Sequence, residues 1–192
     1  MKFWLIVITL IALALVGANY IPEPVVPLTQ NDILEINREI QATIADRTVE
    51  LYGAAIVEQV YKGDTISIRW THPAGMIGRR TTVRLAGVSS PGASSDIGTE
   101  ATLFTQEWLL NREVGIELVD PDLSFAETVF AYVWIHRPMT FDRELSIRND
   151  MFNSWILSFG FARINDSGDQ RYLPVFRKDQ DGALTNKRGL WR

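Results

Sequence analysis

The sequence predicts an α+β domain in which five strands close into a small β-barrel, with about three helices added late and at the C-terminal end. Two observations support this fold class. From Thr48 onward, β-rich and partly alternating segments are separated by short turns, and amphipathic helical segments follow them. The 192 residues include six Trp and nine Phe, and 46% of the chain is hydrophobic, which suffices for the core of one ordinary domain.

The strands are predicted from β-rich runs bounded by turn residues. Gly53 and the turn at residues 62–64 interrupt the first runs, and the His72-Pro73-Ala74-Gly75 segment forms the next turn. The predicted strands are residues 49–51, 55–61, 65–70, 80–88, 114–119 and 128–135.

The helices are predicted from apolar residues at helical spacing. Gly98 opens a helix in which Ala101, Phe104 and Trp108 share one face. A second helix spans residues 148–159, and a short last helix includes residues 175–183. The apolar stripe of the second helix consists of Met151, Phe152, Trp155, Ile156 and Phe159.

Residues 1–21 form a hydrophobic segment with two interpretations. Residues 3–16 contain no charge and follow Lys2, and Val16-Gly17-Ala18 resembles a cleavage site, so a signal peptide and a secreted protein are one interpretation. The other is a membrane contact through residues 3–20, with Trp4 and Tyr20 at the two interfaces. We favour the anchor, which predicts a single-pass protein of the mitochondrial inner membrane or a bacterial envelope.

Residues 22–47 are predicted to form a proline-rich spacer and an amphipathic helix. Three prolines stiffen the start, and Asn31 can cap a helix behind them. The helix carries a stripe of Ile33, Ile36, Ile40 and Ile44. This stripe could pack on the domain at residues 48–192, on a partner, or on a bilayer surface.

Composition excludes some functions. Without cysteine the chain has no thiol catalysis, zinc–thiolate site or disulfide. The net charge of −4 argues against nucleic acid as a partner, because phosphate binding needs clustered positive charge. Residues 163–192 hold seven Arg and Lys against four Asp, which we interpret as a solvated face.

Six short motifs occur in the order in which one family has them. Residues 60–65 (VYKGDT) resemble its V-x-D-G-D-T signature, and residues 83–88 (VRLAGV) resemble its R-L-x-G-V strand. The remaining motifs are residues 98–101 (GTEA), 131–133 (AYV), 152–153 with 160–162 (FN and GFA), and 189–191 (GLW). Over residues 55–191 the chain is thus similar to the staphylococcal nuclease family, which implies a five-stranded OB-fold barrel.

The resemblance also implies calcium-dependent hydrolysis of nucleic-acid phosphodiesters, but only part of the site is retained. Asp64 matches a metal-binding carboxylate, and Arg84 matches the first arginine. The family's D-x-P-E run is replaced by residues 89–92 (SSPG), so Ser89 and Gly92 lack the second metal carboxylate and the catalytic glutamate. Thr128 stands at the second arginine. We therefore expect Asp64 and Arg84 to have structural roles, with Asp64 capping its turn and pairing with the arginine, and calcium to bind only if the protein is active. No other cofactor is expected.

Other residues could replace the missing charges. Asp96 and Glu127 are candidate carboxylates, and Arg79 and Arg80 are candidate arginines, although the simpler expectation is that all four are surface residues. Glu100 suits the start of a helix dipole. The two histidines, His72 and His136, flank proline-bearing turns and do not indicate a histidine-based nuclease or triad.

Three functions follow from these features. The leading hypothesis is a non-catalytic, membrane-tethered interaction domain that serves as an accessory subunit of a membrane protein complex. The second is a calcium-dependent nuclease with substituted site residues. The third is a nucleic-acid binder without hydrolysis that uses the barrel face and the basic C-terminal segment.

Overall fold

The computed structural model describes residues 30, 34, 35, 38, 52–120, 122, 125–138, 141, 143–166, 168 and 171–192. The chain divides into two compact units, Met1–Ala42 and Thr43–Arg192. In the first unit, the four described residues are helical. The predicted membrane segment, most of the spacer and amphipathic helix, and the predicted strand at residues 49–51 lie outside the described residues. Within the described part of the chain, no helix has the length and apolar character needed to cross a membrane.

A five-stranded barrel forms the centre of the second unit. Its strands are β1 (Tyr52–Lys62), β2 (Thr65–His72), β3 (Arg80–Leu85), β5 (Glu113–Leu118) and β6 (Thr128–Trp134). The strand order is β1-β2-β3-β6-β5, and β5 pairs with β1 to close the sheet. The pairs are antiparallel except for the parallel pair β3–β6. The predicted closed barrel is therefore confirmed.

Alternating burial explains why these segments form strands. Ile66, Ile68 and Trp70 of β2 are buried while the residues between them are partly exposed, as expected for a sheet with one face in a core. The prediction that Gly53 breaks a strand is wrong, because Gly53 lies inside β1. A Cβ at this position would lie 2.6 Å from the Trp70 ring, so glycine leaves room for the indole.

The strand predicted at residues 80–88 is two strands. After β3 the chain turns at Gly87, whose φ of 71° favours glycine, and continues as β4 (Val88–Ser89). β4 pairs with β7 (Arg163–Ile164) in a separate two-stranded sheet. This turn directs the segment after β3 away from the barrel wall and over the β1–β2 turn.

The described residues of the second unit form four α-helices beside the barrel, whereas about three were predicted. They are α1 (Asp96–Leu109), α2 (Glu144–Asp150), α3 (Phe152–Ser158) and α4 (Leu173–Thr185). The single helix predicted at residues 148–159 is interrupted at Met151, which is extended and forms a β-bridge with Trp134. Phe159, predicted as the last residue of that helix and of its apolar stripe, follows the end of α3 and is 46% exposed.

The start of α1 also differs from the prediction. The helix begins two residues before Gly98, and Ser95 caps it by accepting a hydrogen bond from the Gly98 N–H. A Cβ at Gly98 would lie 1.8 Å from the carbonyl oxygen of Gly92. Glycine is therefore required for the close approach of the preceding loop to the first turn.

Buried polar side chains fix the C-terminal helices on the barrel. Asn153 of α3 accepts a hydrogen bond from the Val133 N–H (2.9 Å) and donates one to the Ala86 carbonyl (2.9 Å). Glu117 of β5 is 1% exposed and accepts hydrogen bonds from the Trp134 indole and the Tyr172 hydroxyl.

Arg171 forms an ion pair with Glu117 just before α4. Burial raises the pKa of the Glu117 carboxyl, and the charge of Arg171 opposes that rise. The ion pair between Glu117 and Arg171 thus links β5 to the segment just before α4.

Candidate functional site

The β1–β2 turn at residues 62–64 is clamped against neighbouring elements. A Cβ at Gly63 would lie 2.4 Å from Ser90 Oγ and 2.8 Å from the Ala101 Cβ, so only glycine fits at this distance. The Thr105 hydroxyl of α1 donates a hydrogen bond to the Gly63 carbonyl (2.9 Å). The turn that carries Asp64 is thereby held between α1 and the loop that follows β4.

The Asp64 carboxylate is occupied by donors from its own chain. It is 2% exposed and accepts hydrogen bonds from the Thr65 hydroxyl (2.8 Å to Oδ1) and the Ser90 N–H (2.8 Å to Oδ2). The Lys62 ammonium lies 3.0 Å from Oδ1 and 3.3 Å from Oδ2. The carboxylate therefore has two hydrogen-bond donors and a compensating cation without any ligand.

Lys62 is the residue that the sequence analysis missed. It occupies the first acidic position of the V-x-D-G-D-T signature, so an aspartate of the pattern has become a cation beside the second aspartate. The substitution itself can be read from the motif. The ion pair that Lys62 forms with Asp64 could not be predicted, because a lysine in a turn is ordinarily solvated.

Arg84 points outward from β3. It is exposed and lies opposite Thr65 on β2 and Phe130 on β6. Its guanidinium lies 5.3 Å from the centroid of the Phe130 ring, within the range of a cation–π contact. The expected pairing of Asp64 with Arg84 is not formed, since the ion pair of Asp64 is with Lys62.

The three substituted positions lie around this end of the barrel. Ser89 is an exposed residue of β4 and pairs with Arg163 of β7. Gly92 is exposed, and its carbonyl accepts hydrogen bonds from Ser95. Thr128 is exposed at the start of β6, opposite Thr82 of β3. None of these three positions supplies a charge.

Of the four candidate replacement residues, Arg80, Asp96 and Glu127 are exposed as expected, whereas Arg79 is partly buried. Asp96 is exposed in the first turn of α1, and Glu127 is exposed before β6. Arg80 pairs with Glu58 (2.7 Å), which also pairs with Arg69 (2.7 Å). Arg79 lies over the ring of Phe125 and donates to that residue's carbonyl.

The histidines and Glu100 are likewise outside the Asp64 cluster. His72 is exposed and precedes a cis proline, and His136 is exposed with its Nδ1 3.6 Å from Asp150. Glu100 forms an ion pair with Arg192 near the C-terminus. Among the described residues, no group of three or more His, Cys, Asp or Glu is arranged to hold a metal ion.

The donor set at Asp64 does not fit the calcium ion that the family resemblance implies. Calcium takes about six to eight oxygen ligands, several of them carboxylate oxygens. Here one carboxylate is turned toward three donors, and a lysine ammonium stands within 3.3 Å of both of its oxygens. A divalent cation at this carboxylate would face the Lys62 charge directly.

The comparisons with known proteins identify the domain. Residues 82–192, more than half of the chain, match the family described as Staphylococcal nuclease homologue. No curated protein matches the chain. The family match begins inside β3, and the structure adds the strands before it, because β1 and β2 complete the same closed barrel. The chain belongs to the staphylococcal nuclease homologue family.

Proposed function

We propose that this protein is a non-catalytic member of its family, tethered to a membrane through residues 3–20, and that it acts as an interaction subunit of a membrane protein complex. One observation gives the main support for the proposed loss of catalysis. The retained carboxylate, Asp64, is saturated by Lys62, Thr65 and the Ser90 N–H.

Phosphodiester cleavage depends on charged groups in the site, so the occupation or loss of these groups should lower its rate. Transition-state charge must be stabilised by donors or cations placed for it, and loss of one such contact costs about 10²–10³ in rate. Loss of a general base costs about 10²–10⁴ more. Ser89, Gly92 and Thr128 stand in place of charged groups, and Asp64 is occupied by Lys62. Among the described residues of the site, Arg84 is then the retained charged residue that could still contact a substrate.

A second candidate function is a calcium-dependent nuclease, and Arg84 favours it. Its guanidinium is exposed, and no carboxylate among the described residues pairs with it. An arginine retained to bind a phosphate group would also be exposed and without a carboxylate partner. The Phe130 ring gives the side chain another role, since a cation–π contact holds it on the barrel surface.

An activity assay separates the two functions. The full chain, the Arg84→Ala variant and a charge-restored variant (Lys62→Asp, Ser89→Asp, Gly92→Glu, Thr128→Arg) are incubated with DNA and RNA in millimolar calcium. We expect equal background rates for the first two proteins. Calcium-dependent cleavage by the wild type that disappears in Arg84→Ala would overturn the proposal.

Two further measurements test the tether and the partner. After alkaline carbonate extraction of native membranes, the full chain should stay in the pellet, and release into the supernatant would contradict the tether. Purification in mild detergent should yield a protein partner at a fixed stoichiometry. Binding to nucleic acid that weakens steeply with salt would instead support the third hypothesis.

A further inference from the structure

A continuous ridge of aromatic rings runs across α1, α3 and the segment after α3. We name Phe104, Trp108, Trp155, Phe159 and Phe161 the aromatic ridge. Trp155 meets Trp108 edge to face at 4.9 Å between centroids, and Trp108 lies 6.4 Å from Phe104. Phe104 lies 5.0 Å from Phe159 and 5.1 Å from Phe161. The rings thus form one connected surface.

Part of this ridge faces solvent. Phe159 is 46% exposed. The other four rings are partly exposed and pack against the core. An apolar surface of several neighbouring side chains is typical of a binding site, whereas single exposed apolar residues are ordinary.

Contacts within the domain hold two of the ridge rings in place. Phe104 stacks on the buried ring of Phe152 (5.7 Å, 23° between planes), and the Trp155 indole donates a hydrogen bond to the Arg148 carbonyl (2.9 Å). Rings held in this way lose little side-chain entropy on binding, which lowers the free-energy cost of association.

Two arginines border the ridge. The Arg112 guanidinium lies 5.7 Å from the Trp108 ring, and that of Arg188 lies 6.0 Å from the Phe159 ring. Neither forms an ion pair with a carboxylate among the described residues, in contrast to Arg69 and Arg80, which share Glu58. Aromatic residues and arginine are the types enriched in protein–protein interfaces.

We propose that the aromatic ridge is the docking surface for an amphipathic helix of a partner protein, with an apolar face on the rings and carboxylates beside it that pair with Arg112 and Arg188. This inference rests on the proposed role of the domain as an interaction subunit. The surface shares no residue with the Asp64 site. The positive charges of Arg112 and Arg188 argue against a basic partner. Glu107, exposed on α1, is an acidic neighbour that the carboxylates of the docked helix must avoid.

The test uses two synthetic helices with the same leucine face, one flanked by glutamates and one by lysines. The full chain in zwitterionic detergent micelles is titrated with each peptide, and the indole N–H signals of Trp108 and Trp155 are followed by NMR, with empty micelles as the blank. We expect saturable shifts and an affinity about tenfold higher for the glutamate peptide, which corresponds to about 1.4 kcal/mol from two partly exposed ion pairs.

Variants make the test specific. Arg112→Glu combined with Arg188→Glu should reverse the preference, and Glu107→Lys should strengthen it. Phe159→Glu, at the exposed ring of the ridge, should weaken binding, whereas Ile77→Glu, at a residue between β2 and β3 that is 64% exposed, should not. No saturable binding, a preference unchanged by charge reversal, or shifts caused only by anionic phosphatidylglycerol vesicles would overturn this inference. Hydrolysis by the wild type would instead overturn the proposed function, so the two failures are distinguishable.

Discussion

The ammonium of Lys62 lies 3.0 Å from Oδ1 of Asp64, two residues further along the β1–β2 turn. The family signature has aspartates at both of these positions, and Lys62 replaces the first of them. The replacement puts a permanent positive charge beside the retained Asp64 carboxylate, so the negative charge of that carboxylate is balanced by a residue of the same chain.

Asp64→Ala should destabilise the domain strongly. The substitution leaves the Ser90 N–H and the Lys62 ammonium without their acceptor, and an unsatisfied buried donor costs about 1–3 kcal/mol. We expect a loss of about 2–4 kcal/mol in the free energy of unfolding, measured by urea denaturation at pH 7. Asp181→Ala, at an exposed residue of α4, is the control and should change stability by less than about 0.5 kcal/mol. Equal effects would show that the Asp64 cluster is not structural.

Calcium should not raise the melting temperature of the wild type. A ligand stabilises a protein only when it binds the folded state, by an amount that grows with concentration over Kd. The double variant Lys62→Asp and Ser89→Asp removes the competing ammonium and adds two carboxylates to that of Asp64, so its melting temperature should rise in millimolar calcium. Magnesium is the control ion, since its smaller octahedral site is less tolerant of imperfect geometry. A calcium-induced rise in the melting temperature of the wild type would show that calcium binds the folded chain despite Lys62.

The pH dependence of stability should report on Glu117. Burial raises the pKa of its carboxyl in the folded protein, so the folded state binds a proton more tightly than the unfolded chain does. This residue's contribution to stability therefore falls as pH rises from about the unfolded value of 4.5 through the folded pKa.

The Glu117→Gln variant has no titratable group at this position, so it lacks this pH-dependent contribution to stability. The stability of the wild type relative to this variant should therefore increase as pH is lowered from 7 toward 4.5, as measured by urea denaturation at several pH values. Contributions from residues such as Glu58 and Glu144, whose pKa values are lowered by ion pairs, are present in both proteins and cancel in the difference. A difference that is constant with pH would rule out a raised pKa at Glu117.

Asn153 should tolerate neither removal of its side-chain amide nor its replacement by a carboxylate. Asn153→Ala abandons the Val133 N–H and the Ala86 carbonyl, both inside the protein, and we expect a loss of about 2–4 kcal/mol. Asn153→Asp keeps the acceptor but aims a carboxylate at the Ala86 carbonyl, so it should be at least as destabilising at pH 7. Thermal unfolding provides the measurement. Asn186→Ala, at the exposed C-terminal end of α4, should cost much less.

Two glycines inside helices should respond in opposite ways to alanine. Gly98→Ala forces a Cβ to within 1.8 Å of the Gly92 carbonyl and should destabilise α1. At Gly182 in α4, no atom lies within 4 Å of an added Cβ, so Gly182→Ala should stabilise the protein by about 0.5–1 kcal/mol. Circular dichroism melts of both variants decide this, and a stabilising Gly98→Ala would show that the loop at Gly92 moves freely.

The barrel was predictable because strand alternation and turn residues are local signals. The buried residues Ile66, Ile68 and Trp70 repeat with the period of a strand, and the segment 62–64 has turn composition. The positions of Ser89, Gly92 and Thr128 followed from motif order alone. These features depend on near neighbours in sequence, which one sequence is sufficient to show.

The remaining features depend on distant partners. Met151 ends a helix because Trp134, far from it in sequence, pairs with its backbone. Asp64 is saturated partly by Ser90, 26 residues away, and the aromatic ridge joins α1 to α3 across a separation that no periodicity encodes. Such tertiary contacts override local preference, and only the folded structure reveals them.

The closure of β5 onto β1 limits how any other molecule can be recognised. Each of the five barrel strands spends its backbone N–H and C=O groups on two neighbours, so the barrel offers no free edge to which an extended peptide could add as a sixth strand. The same closure protects the barrel from edge-to-edge aggregation. Recognition of an extended peptide at the barrel wall therefore depends on side-chain contacts and not on strand addition.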